Sequence, residues 1–213
     1  MKTRDLVTRL AADLRPVEPG AVARRIERAL LTGFAGSVAL LVGLYGIRSD
    51  MPEVILTTRF WARLAFPLSL IVAAMKLTER LGRPGAPVRM AWIAAALPVL
   101  TMLLAGGGVL LATPPGYRLQ LMLGTSGWLA AANLVLLSLP PLAAAMHALK
   151  GLAPTRLALA GAGAGLLAGA QGLLVFSLYG ADVSLSFWGI WYALAIVLTT
   201  AIGAALAPGY LRW

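Results

Sequence analysis

The 213-residue chain is 60% hydrophobic and only 12% charged, with a formal net charge of +10 and a mean hydropathy of +0.84. A soluble domain is about half apolar and a quarter charged, so this chain carries more apolar surface than one core can bury and is expected in a membrane. With no cysteine, one histidine and eight carboxylates, it lacks disulfides, thiolate metal sites and a cysteine nucleophile, and the expectation is a non-enzyme without cofactor or metal.

Residues 1–28 hold seven basic side chains (Lys2, Arg4, Arg9, Arg15, Arg24, Arg25, Arg28) and four acidic ones (Asp5, Asp13, Glu18, Glu27). They lack the continuous apolar stretch of about 7–15 residues that a signal peptide needs, and are expected to remain on the chain as a polar arm. Within the arm, Leu6, Val7, Leu10, Ala11 and Leu14 fall on one face of a short amphipathic helix. Thr3 is placed to cap it, and Pro16, Pro19 and Gly20 end it. A helix of about a dozen residues is marginal alone and needs a surface to rest on, either lipid, the protein's own loops or a partner's groove.

Six apolar runs follow, at 29–47, 60–77, 90–112, 128–149, 157–179 and 187–206. Each suits a bilayer crossing of about 20 residues, and in hydrocarbon a span must be helical. The predicted fold is therefore all-α: a six-helix transmembrane bundle preceded by an amphipathic arm. The second run is short between Arg63 and Lys76, and snorkelling of both side chains would complete it. Basic residues concentrate on one side of this topology, 14 against four (Arg48, Arg59, Arg63, Arg118), which puts both termini in the cytoplasm. The net charge is then topology and lipid contact, with no direct nucleic-acid binding implied. Trp61, Trp92, Trp128, Trp188 and Trp213 fall near span ends, where amphipathic rings anchor a protein in the interface.

In the fifth span Gly161, Gly165 and Gly169 recur every four residues, a strip that lets another helix approach closely. The sequence leaves open whether that helix lies within the bundle or in a homo-oligomer. Pro67, Pro98, Pro140 and Pro141 interrupt other spans and are expected to kink them. No ionisable residue lies deep in a span, and the amides Asn133 and Gln171 with scattered hydroxyls read as interhelical hydrogen-bonding groups. His147 has no sequence neighbour with which to form a metal or catalytic site. Nucleotide, hydrolase and metalloprotease motifs are missing from the sequence. Two function classes remain: a regulatory membrane protein acting through the arm, or a small transporter or channel-like protein suggested by the prolines and glycines.

The opening MKTRDLVTRLAADLRPV, the segments LLSLPPLAAAMHALKGLAPTRLALAGAGAGLLAG and YGADVSLSFWGIWYALAI, and the terminal LRW resemble the NrsF-like family of bacterial inner-membrane anti-sigma factors. The order and spacing of these segments cover nearly the whole chain. The resemblance implies a protein that holds an extracytoplasmic-function sigma factor at the inner membrane until an envelope or oxidative cue releases it. It further implies that Lys2, Thr3, Arg4, Asp5, Leu6, Leu10, Ala11 and Leu14 contact the sigma factor, with the leucines in a groove and the basic residues steering association.

One departure from the family pattern concerns sensing. Members often carry a cysteine in the fourth helix, where this chain has Ala130 to Ala132, and another in the external loop near Gly180. Both are missing, so thiol-based sensing is closed to this sequence. Asp182, Trp188, Trp191 and Tyr192 are the remaining candidates for signal input.

Overall fold

The computed structural model describes Val7, Ala12 and residues 20–46, 51–124, 127–179 and 185–212. All regular structure among them is helical, in the order α1 (Ala21–Tyr45), α2 (Met51–Ile55), α3 (Thr58–Leu81), α4 (Arg89–Ala112), α5 (Pro115–Leu123), α6 (Gly127–Lys150), α7 (Leu157–Tyr179), the single turn α8 (Leu185–Phe187), a π-helical turn (Trp188–Tyr192) and α9 (Ala193–Tyr210). Six helical segments are long and apolar enough to cross a membrane, so the all-α bundle expected from composition is the fold.

Helix ends follow local chemistry. Gly46, at φ 75°, turns the chain out of α1 while its N–H donates to the Val42 carbonyl, a left-handed cap that costs glycine little. The Thr57 hydroxyl accepts from the Phe60 N–H at the start of α3. The Arg118 guanidinium, on α5, donates to the carbonyls of Thr113 (2.8 Å) and Leu111 (3.3 Å), satisfying groups that α4 leaves open at its C-terminus. Two helices extend beyond their apolar windows. α1 begins at Ala21, not 29, because its first turns are polar helix, and α3 runs to Leu81 past Lys76, whose ammonium lies 3.7 Å from Glu79.

α7 is the centre of the bundle. Every residue from Ala160 to Leu173 is buried, and α9, α6, α3 and α1 all pack around it. Small side chains make this possible. A Cβ added at Gly163 would sit 2.8 Å from Leu81 of α3, and one at Gly172 would stand 3.0 Å from the Leu134 carbonyl oxygen of α6. α4 lies further out, against α3 and the α8 segment, and Leu97, Leu100, Leu104 and Leu111 are exposed along it, as a lipid-facing helix requires.

The two prolines of α6 are accommodated by α1. Gly36 and Gly33 leave room for Pro140 and Pro141, whose atoms would stand 2.8 and 2.7 Å from an added Cβ. Pro141 has no N–H, so the Leu137 carbonyl one turn earlier loses its helical donor. The buried Ser37 hydroxyl of α1 donates to that carbonyl instead. Ser37→Ala should leave it unsatisfied and destabilise the bundle by about 1–3 kcal/mol in detergent unfolding. Ser69→Ala, on an exposed hydroxyl bonded only within its own helix, should change little.

Candidate functional sites at the two ends of the bundle

The arm residues Lys2, Thr3, Arg4, Asp5, Leu6, Leu10, Ala11 and Leu14 lie outside the described residues, as does Asp182. The described structure bears on what the arm joins, on the opposite end, and on the helix between.

At the arm end, α1 follows directly from Gly20 and carries Arg24, Arg25 and Arg28. Together with His147 and four alanines of α1 and α6 they line a cavity of about 660 Å³. A second cavity of about 390 Å³ at the α3–α4 connection is lined by Arg80, Arg83, Arg89 and Arg156. Arg80 donates to the Pro87 carbonyl at 3.0 Å, and Lys150 lies 4.8 Å above the Tyr210 ring. His147 is exposed among arginines, and among the described residues no three His, Asp or Glu side chains converge on a metal position.

At the opposite end, the π-helical turn gathers aromatic rings. Trp188 and Tyr192 stack with centroids 5.1 Å apart, Phe187 meets Tyr192 at 6.1 Å and Trp191 at 6.5 Å, and Phe176 of α7 meets Tyr192 edge-on at 5.9 Å. Trp191 Nε1 donates to the Met122 carbonyl at 2.9 Å, and the buried Ser186 hydroxyl donates to the Gly106 carbonyl at 3.0 Å. Trp188 is only 6% exposed, so it is not the interfacial anchor that its place near a span end suggested. Trp61 and Trp128, 58% and 66% exposed, have the accessibility an anchor needs. The Trp188 Nε1 is buried with no acceptor among the described residues, a donor whose desolvation they leave uncompensated. Phe176 and Phe187 escaped the sequence reading because nothing local marks them; the π turn and the return of α7 bring them in.

Between the ends, Gly161, Gly165 and Gly169 face α9 of the same chain. An added Cβ at Gly165 would stand 2.8 Å from the Thr200 Cα, and at Gly169 3.5 Å from the Ile196 Cα. On another face of α7, Gln171 Nε2 donates to the Leu30 carbonyl of α1 at 2.7 Å.

The six-helix architecture and the arginine-rich end are what a relative should share. The family described as "NrsF: Negative regulator of sigma F" matches residues 10–213. The chain belongs to the NrsF family. It is 36% identical to the probable anti-sigma-F factor NrsF of Azospira oryzae over 213 residues, and 35% identical to the anti-sigma-F factor NrsF of Caulobacter vibrioides over 217 residues, each alignment covering both chains completely. No solved structure matches it. NrsF membership is a regulatory affiliation, and its match spans the bundle and the arm from Leu10 onward.

Proposed function

We propose that this chain is a membrane-embedded anti-sigma factor. It sequesters an extracytoplasmic-function sigma factor at the bacterial inner membrane and releases it on an envelope or stress signal. The observation that carries this reading is the full-length likeness to two proteins named as anti-sigma-F factors, on a chain with six helices apolar enough to cross a membrane. The arginine-rich end faces the cytoplasm by the excess of basic residues there, with both termini on that side. In this reading the face of Leu6, Leu10 and Leu14 docks in a groove of the sigma factor, and Lys2, Arg4 and the neighbouring polar residues steer the encounter.

Signal input belongs to the opposite end, at Asp182 and the rings of Trp188, Trp191 and Tyr192. The uncompensated Trp188 N–H makes that packing less costly to rearrange by about 1–3 kcal/mol. A change there reaches α7 through the Tyr192–Phe176 contact, and α7 holds α1, and so the root of the arm, through Gln171 and the Leu30 carbonyl. The arm's affinity for the sigma factor then changes by the coupling free energy between the two packings. The transporter alternative gains no specific observation, since α7 fills the middle of the bundle.

The test is co-purification from detergent extract of the full-length chain beside a variant lacking residues 1–20, with mass spectrometry of the soluble partner. A sigma factor on the first and not on the second is the expected result. Retention by both would move the binding surface to the loops carrying Arg80, Arg83 and Lys150, and retention by neither would overturn the anti-sigma reading.

A further inference from the structure

The cavity between the first turns of α1 and the last turns of α6 has no role in the function proposed above. Arg24, Arg25 and Arg28 border it, with Ala21, Ala29, Ala144 and Ala148 as small apolar walls and His147 across the gap. On a helix, positions 21, 25, 28, 29 and 32 share one side, whereas Glu27 projects elsewhere and does not line the cavity. The Arg25 guanidinium lies against the backbone of Gly151, where an added Cβ would overlap it, just beyond the C-terminus of α6. The partial negative charge of that helix end favours a cation there and fixes the head group in place. The Thr32 hydroxyl is already committed to the Arg28 and Ala29 carbonyls, at 2.9 and 3.2 Å. Among the described residues, neither Arg25 nor Arg28 has a carboxylate partner. The cavity therefore presents two guanidinium groups, those of Arg25 and Arg28, that no acid among the described residues neutralises, over an alanine-lined hollow.

We propose that this cavity binds the phosphate of an anionic phospholipid. Forked guanidinium groups match phosphate oxygens in geometry as well as charge, and basic hollows between membrane helices at the cytoplasmic side suit lipid head groups. The position selects lipid over a soluble acidic segment. Leu31, 66% exposed, begins the lipid-facing surface of α1 immediately beyond Arg28, so a phosphate attached to acyl chains would have those chains lie along that surface. The alanine walls leave room for the glycerol and first methylenes that join the phosphate to those chains. The bound lipid would sit at the root of the arm, since Arg24 lies one turn beyond Gly20.

Native mass spectrometry of the full-length protein, titrated with dioleoylphosphatidylglycerol and with dioleoylphosphatidylcholine as the neutral control, tests this. The wild-type chain should bind the anionic lipid preferentially. Arg28→Gln should weaken that binding about fivefold, and Arg25→Gln with Arg28→Gln about twenty-five-fold, at about one interfacial charge contact each. Arg212→Gln, which removes an exposed charge near the chain end outside the cavity, should leave it unchanged. Arg25 and Arg28 are both exposed, and the single variant serves if the double variant is not monodisperse. Equal lipid binding by wild type and cavity variants would overturn the proposal. Binding of inorganic phosphate with no preference for the anionic over the neutral lipid would overturn the lipid as the source of the anion. Loss of a co-purified sigma factor with lipid binding intact would assign the cavity to a protein partner instead.

Discussion

Replacing both Leu6 and Leu10 with aspartate is expected to release the sigma factor from the membrane while the bundle inserts as before. The two positions are one helical turn apart, so on the proposed arm helix they present adjacent side chains to the same groove. Each buried leucine contributes about 1.5–3 kcal/mol, and two together account for about a thousandfold in affinity. Aspartate adds the cost of a carboxylate in an apolar groove. The arm lies before α1, and neither residue belongs to a span, so membrane fractionation of the variant should match wild type. A reporter driven by the sigma factor should become constitutive. Continued retention with normal insertion would show that the arm is not the binding element.

The largest expected loss of stability comes from Gly165→Leu. At this position α7 and α9 meet backbone to backbone: the Cβ alone would stand 2.8 Å from the Thr200 Cα and 2.9 Å from the Thr199 carbonyl carbon. Neither atom is the movable end of a side chain, so the helices themselves must separate. Overpacking at ordinary core sites costs about 1–3 kcal/mol, and because the obstacle here is backbone the expected cost is about 3 kcal/mol or more. α9 would lose its seat on α7, and the variant should extract as aggregate or melt far below wild type. Gly108→Ala is the matched control. A Cβ there meets nothing within 4 Å, and alanine should be neutral or stabilising by about 0.5–1 kcal/mol. Similar melting of the two variants would mean that the α7–α9 approach is not close.

The spans were legible because hydrophobicity over about 20 residues is a local property, readable without knowing any neighbour. Helix limits were less so. The polar first turns of α1 are helical despite their charge, and Lys76 sits within α3 because its side chain reaches out, 65% exposed. The glycines of the fifth span announced a close approach but could not name the helix approached, which depends on which of five other spans returns beside them. Pro141 offered an unused clue: a missing N–H implies an orphan carbonyl at Leu137, and a hydroxyl on a neighbouring helix had to answer it, as Ser37 does. The aromatic end was legible only as individual rings. Burial of Trp188 depends on the π turn and on how that turn packs against α4 and α6, which no local pattern in the sequence shows. The arm face was read from periodicity alone.

Because α7 is the hub of the bundle and its companion α9 follows it in the chain, the hub cannot be complete while only the earlier spans have been made. Until α9 emerges, the strip of Gly161, Gly165 and Gly169 faces lipid with hardly any side chain to fill the space, and the helix has little to hold it in register. Completion of the hub thus waits for α9, a dependence set by the order of the helices rather than by any one contact.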